Sequence, residues 1–103
     1  MYVLLVRYLA PLQRIDELRP AHVAYLEKHY TDGVFLVSGR QRPPVGGVIV
    51  AGDVARAELE QIIATDPYVT EGVGEYTLVE FGPTMVGESV RAALAAAGVA
   101  LPT

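Results

Sequence analysis

The 103-residue sequence contains no cysteine. Disulfide bonds, thiolate metal sites and a cysteine nucleophile are therefore excluded. Charged residues are also scarce, at 19%, and twelve acidic residues against eight basic ones leave a net charge of −4. Lysine and arginine are scattered along the chain and form no basic run. Since the electrostatic footprint of a nucleic-acid binder is missing, we expect no nucleic-acid partner.

The N-terminal segment is apolar but falls short of a membrane span. MYVLLVRYLA, residues 1–10, contains Arg7, lacks a basic start and is about half the length that a bilayer requires. It is typical of a strand, so we expect no membrane partner and a cytoplasmic location. Apolar residues nevertheless make up 51% of a chain that is long enough for one core. Some of this apolar surface should be buried outside that core.

Four segments have the composition or alternation of strands. They are residues 2–9, 34–39, 45–52 and 73–82. Two amphipathic helices are predicted between them. The first runs from Pro20, which suits the first position of a helix, to about Asp32. The second covers residues 54–64, with Asp53 as its cap. Residues 12–18 are polar, and we expect at most one helical turn there.

The predicted order β-α-β-β-α-β indicates an α+β fold of the ferredoxin-like type. In this fold two helices cover one face of a four-stranded antiparallel sheet. Residues 1–83 are predicted to form the domain, and residues 84–103 form an alanine-rich helical tail beyond it.

The first strand is apolar on both of its faces. Tyr2 and Leu4 point to one side of the sheet, and Val3 and Leu5 point to the other. Because the helices cover only one side, the other would leave a large apolar patch in water. We therefore predict a homodimer formed through the open sheet face, with the pairing creating a cavity beside His22.

His22 and Asp66 are the strongest candidates for chemistry. His22 lies in the first predicted helix and Asp66 follows the second, and these two regions can approach each other in the predicted fold. A carboxylate on one imidazole nitrogen leaves the other free to take a proton from a substrate. The alternative is structural, with His22 a half-buried helix residue and Asp66 a turn or cap residue before Pro67. The spacing leaves both interpretations open.

A metal site is not expected. His29 lies seven residues from His22, which is roughly 10 Å along a helix, so the two imidazoles cannot share one ion. No H-x-x-x-H motif or acidic cluster accompanies them.

Three pieces of sequence resemble the YciI-like (YCII-related) family over about residues 1–82. They are RPAH (19–22), the segment from DG to a strand that ends in SG (32–39), and TDPYVTEGV (65–73). The resemblance implies a dimeric α+β barrel with His22 and Asp66 as a catalytic pair. One characterised type of relative is a cofactor-independent dehydrochlorinase of a chlorinated hydroxyhydroquinone. The resemblance thus implies proton transfer on small cyclic or aromatic metabolites, without a cofactor.

The sequence departs from the family after the second strand, where SGRQRPP replaces a common Gly-Pro. Ser38 is a candidate donor to a substrate. Arg40 or Arg42 could hold a planar anion, although both also fit a solvated hairpin tip.

Two further residues are candidates for substrate binding. Arg7 lies within an apolar strand, so it either faces the pocket or pairs with an acid such as Glu80. Tyr68 either lines the cavity or fills the core.

Three functions remain open. The first is a cofactor-independent lyase or isomerase that uses His22 as general base or acid. The second is a non-catalytic, small-ligand-binding or accessory dimer with the same pocket. The third is a structural interaction domain that uses the alanine-rich tail.

Overall fold

The computed structural model describes all residues from Met1 to Thr103. Its elements are β1 (Tyr2–Tyr8), α1 (Leu12–Thr31), β2 (Phe35–Arg40), β3 (Gly46–Ala51), α2 (Arg56–Ile63), α3 (Pro67–Thr70), β4 (Gly74–Glu80) and α4 (Glu88–Ala96). The strands form one antiparallel sheet in the order β2-β3-β1-β4. The predicted α+β, ferredoxin-like fold is confirmed, and α4 follows it as an additional helix.

Alternation along β1 decides which side chains face the helices. Tyr2, Leu4 and Val6 are 2%, 0% and 3% exposed, and they form the main core together with residues of α1 and α2. Leu5, between them, is 38% exposed on the opposite face. Because successive side chains of a strand point to opposite faces, the exposure along β1 identifies one face of the sheet as covered by the helices and the other as open.

The open face carries exposed apolar side chains from several strands. Leu5 of β1, Val37 of β2 and Val79 of β4 are 38%, 57% and 46% exposed. Leu5 is paired with Val48 of β3, which points to the same side. The patch therefore crosses the whole sheet, as expected from the apolar pattern of both strand faces.

Helix α1 is longer than predicted. The sequence predicts a start at Pro20, but the helix begins at Leu12, and Pro20 lies inside it. An interior proline removes one helical hydrogen bond and costs about 3 kcal/mol. The extra turns nevertheless bury Ile15 completely, against Tyr68 and Val73. Leu18, in the same extra turns, packs against this cluster, and together the two side chains offset the cost of the proline. The predicted end is confirmed, since the helix stops at Thr31 and is followed by Gly33 with φ +83°.

No helix in the structure, α1 included, combines the length and apolarity needed to cross a membrane.

Asp53 does not cap α2, contrary to the prediction. The helix begins at Arg56 without a side-chain cap. The Asp53 carboxylate instead accepts from the Met1 ammonium at 2.6 Å and from the Ala100 N–H at 2.8 Å. The Ala100 hydrogen bond, followed by that of the ammonium, lowers the pKa of Asp53. Asp53 thus joins the C-terminal tail to the start of β1. The division into a domain of residues 1–83 and a tail of residues 84–103 stays a prediction.

Candidate active site

His22 of α1 meets Asp66 in the structure, although 44 positions separate them in the chain. Asp66 directly precedes α3 and is completely buried. Its Oδ1 lies 2.8 Å from Nδ1 of His22 and accepts the Tyr68 N–H at 2.9 Å. Asp66 is therefore both the cap of α3 and the hydrogen-bond partner of the imidazole.

Tyr76 of β4 supplies a further donor to the same carboxylate. The Tyr76 hydroxyl donates to Oδ2 of Asp66 at 2.5 Å. The Tyr25 hydroxyl lies 3.3 Å from the Tyr76 hydroxyl. Burial raises the pKa of both tyrosines above the ordinary value, so both phenols stay protonated donors at neutral pH. Sequence reasoning missed these tyrosines. The available signal was that Tyr25 lies three residues after His22, on the same helical face.

The second nitrogen of His22 is free. Nδ1 is taken by Asp66, and Nε2 has no hydrogen-bond partner. Every buried side-chain nitrogen or oxygen in the protein has a hydrogen-bond partner. Since Nε2 has none, it is not buried and is accessible to solvent. Because a carboxylate can only accept, Nδ1 carries the proton and Nε2 presents a lone pair in the neutral ring. The ring is stacked on Tyr68 at a centroid distance of 3.9 Å and an angle of 11°, which restricts its rotation.

His22 opens into a cavity of about 160 Å³ between α1 and the covered face of the sheet. Seven of its thirteen lining residues are hydrophobic, among them Val6, Val23 and Ile49. Residues of α1, α3, β1, β2 and β3 within a single chain are enough to form the cavity. The expectation that pairing of two copies creates this cavity is therefore wrong, because α1 and the sheet already enclose it.

Three of the four predicted substrate-binding residues line the cavity: Ser38, Arg40 and Tyr68. The Ser38 hydroxyl is hydrogen-bonded to that of Tyr30. Arg40 donates to Asp16 at 2.6 Å and to Tyr8 at 3.2 Å, and these hydrogen bonds raise the pKa of Arg40. Arg40 is thus held at the wall by protein groups. Arg42 does not line the cavity and is exposed in the hairpin loop.

Arg7, the fourth predicted residue, lies away from the other three. It shares the open face of the sheet with Leu5, and its side chain is 69% exposed. It pairs with Glu75 at 2.5 Å rather than with Glu80. The register explains the choice, because Glu75 stands opposite Arg7 whereas Glu80 stands opposite Tyr2.

Arg19 lines the cavity as well, and sequence reasoning did not single it out. It belongs to the RPAH segment and precedes His22 by three residues, which places both side chains on one face of α1.

His29 forms a second histidine–carboxylate pair, with Nδ1 at 2.8 Å from Oδ2 of Asp32. This pair lies at the C-terminal end of α1, two helical turns beyond His22, and outside the cavity. No three side chains of the metal-binding types cluster in the chain.

Comparison with known proteins identifies a family, and the similar solved structures include a dehydrochlorinase. A family model described as the YCII-related domain matches residues 1–82. No curated protein matches the chain. The 5-chloro-2-hydroxyhydroquinone dehydrochlorinase of Burkholderia phenoliruptrix AC1100, solved with 2,5-dihydroxybenzoquinone, has a TM-score of 0.66 and 20% identity. The alignment covers 86% of this chain and 98% of that one, and at this identity the likeness shows the fold.

Proposed function

Because the chain belongs to the family of YCII-related domains, we propose that it is a cofactor-independent lyase or isomerase. Its reaction is a proton transfer on a small cyclic or aromatic metabolite. His22 is the proton acceptor or donor, and Asp66 orients it. One observation carries the proposal: Nδ1 of His22 is bonded to a buried carboxylate while Nε2 is free beside a ring-sized cavity.

The proposed step starts when a ring C–H or O–H gives its proton to Nε2 of His22. The Asp66 carboxylate stabilises the resulting imidazolium. In a lyase reaction the electron pair left on the substrate forms a double bond and expels a leaving group, such as chloride, as an anion. In an isomerase reaction the proton returns to a different atom of the same ring. Neither course needs an electron acceptor.

The similar solved structure supports ring chemistry at this site. That protein is named a dehydrochlorinase, and its bound molecule is a six-membered quinone. The cavity beside His22 is about 160 Å³, and an engineered cavity of about 150 Å³ in another protein holds benzene. The volume therefore suits one six-membered ring.

The second candidate function is a small-ligand-binding or accessory protein without turnover. It is favoured by the hydrogen bonds of two cavity-lining residues. Ser38 is already bonded to Tyr30, and Arg40 is already bonded to Asp16 and Tyr8. A purely structural domain, by contrast, has no need of an accessible imidazole bonded to a buried carboxylate, so we set the third hypothesis aside.

Incubation of the protein with a panel of chlorinated hydroquinones and muconolactones tests the proposal. We expect at least one compound to be converted, with loss of substrate followed by NMR and chloride release measured in parallel. Binding without conversion across the panel would favour the second function. A panel with neither binding nor conversion contradicts both functions.

We also propose that two copies pair through the open sheet face. Leu5 and Val48 are neighbours on the two central strands and lie in the middle of the apolar patch. Leu5→Glu places a charge there, and burying an unpaired charge in an interface is strongly unfavourable. We expect the wild type to sediment as a dimer at micromolar concentration and Leu5→Glu to sediment as a monomer.

Leu12→Glu is the matched control for this substitution. Leu12 is 39% exposed, against 38% for Leu5, but it begins α1 on the covered side of the sheet. It should leave the dimer intact. A wild-type protein that is monomeric at micromolar concentration contradicts the pairing. The cytoplasmic location stays a prediction.

A further inference from the structure

We propose that the cavity binds a planar six-membered ring with one negative charge, and that Arg19 at the cavity mouth binds this charge. The charged group is a carboxylate or an ionised hydroxyl. The inference deepens the proposed function and rests on it in one respect, that the cavity is a ligand site. It holds whether or not the bound ring is converted.

The charges around the cavity favour an anion. No aspartate or glutamate lines the cavity, whereas two arginines, Arg19 and Arg40, do. Asp16 neutralises Arg40 at 2.6 Å. Of the seven arginines, five are in ion pairs, and Arg19 and Arg42 are the two without one. Arg19 is therefore the one unpaired cation of the cavity, since Arg42 does not line it.

Arg19 lies at the boundary between the cavity and the solvent. It lines the cavity and also a shallow groove outside it, together with Asp16, Pro20 and Glu27, and neither carboxylate forms an ion pair with it. A guanidinium there avoids the full cost of burial and still reaches inward along its flexible stem. Arg19 and His22 are three residues apart on α1, which places their Cβ atoms roughly 5–6 Å apart. One ring can thus touch the guanidinium with its charged group and Nε2 with its reacting atom.

The tyrosine next to the imidazole does not compete for Arg19. Burial raises the pKa of Tyr68 to about 12, so its phenol is uncharged at neutral pH. The guanidinium keeps its charge for a ligand. A planar guanidinium also matches a carboxylate with two parallel hydrogen bonds, which an ammonium cannot do in the same way.

The test compares 2,5-dihydroxybenzoate with its neutral amide, 2,5-dihydroxybenzamide, by NMR titration of the whole chain. The wild type should bind the acid about tenfold more tightly than the amide, because the acid makes one additional charge-assisted contact and solvent at the boundary weakens it. Arg19→Gln should abolish the preference by weakening the acid alone, and Arg19→Lys should keep part of it. Arg42→Gln, which removes the other unpaired guanidinium, should leave the preference unchanged.

Three results would overturn the inference: equal binding of both probes by the wild type, retention of the preference in Arg19→Gln, or no binding of the acid at millimolar concentration. The proposed function fails separately. If Arg19 determines the preference for the acid but no ring is ever converted, the inference stands and the lyase or isomerase activity does not. If a ring is converted but the protein shows no charge preference, the activity stands and the inference does not.

Discussion

His22→Asn is expected to lower kcat/KM by about 10²–10⁴-fold for any substrate that the protein converts, with the fold intact. The asparagine amide nitrogen can take the position of Nδ1 and donate to Oδ1 of Asp66, replacing the present bond of 2.8 Å. No atom of asparagine replaces Nε2, so the proton acceptor is lost while the buried carboxylate keeps a donor. Steady-state kinetics and thermal unfolding of the same preparations measure both effects.

His29→Asn is the matched control, since the chain contains a second histidine bonded through Nδ1 to a carboxylate. His29 is bonded to Asp32 at 2.8 Å and does not line the cavity. The same substitution there should leave kcat/KM unchanged per folded molecule. Wild-type turnover by His22→Asn would remove His22 from the mechanism, whatever the control shows.

The strands could be predicted because a period of two is a local signal. The first predicted strand, residues 2–9, is observed as Tyr2–Tyr8, and the last, residues 73–82, as Gly74–Glu80. Their order limits the arrangement of the sheet to very few folds, and in the predicted one α1 approaches the end of α2. The proximity of His22 and Asp66 was therefore predictable from the order of elements.

The start of α1 and the role of Asp53 were not predictable by local rules. Proline at a first helical position and aspartate before a helix are both sound local preferences. In the fold, α1 extends past Pro20 and buries Ile15. Asp53 accepts from the Met1 ammonium and the Ala100 N–H instead of from the first turn of α2. Each of these partners comes from a distant part of the structure.

The surroundings of the site depend on register, which single-strand patterns do not contain. Tyr76 reaches Asp66 because β4 pairs with β1 so that Tyr76 stands beside Val6 on the covered face. The position of Arg7, in contrast, could have been predicted. Alternation along β1 places it with Leu5 on the open face, opposite to His22.

Asp66→Ala is expected to lower the free energy of unfolding by about 3 kcal/mol, a large share of the stability of a small domain. Asp66 is completely buried and accepts from His22, from the Tyr68 N–H and from the Tyr76 hydroxyl. Alanine leaves these donors without their acceptor and removes the cap of α3, which alone is worth about 1 kcal/mol. Chemical denaturation of both proteins, analysed with a common slope, measures the difference.

Asp66→Asn separates positioning of His22 from support of the fold. Asparagine also caps helices, so we expect it to retain more stability than alanine. If the NH₂ of this asparagine faces Nδ1, Nδ1 must accept a hydrogen bond and the imidazole carries its proton on Nε2. Nε2 can then accept no proton from a substrate. Activity should fall by about 10²–10⁴-fold despite the better fold. Asp32→Ala removes the half-exposed carboxylate that accepts from His29 and from the Val34 N–H, so we expect it to cost about 1–2 kcal/mol, less than Asp66→Ala, and to leave activity unchanged. A fully active Asp66→Asn protein would reduce Asp66 to a helix cap and leave the free Nε2 of His22 without an orienting group.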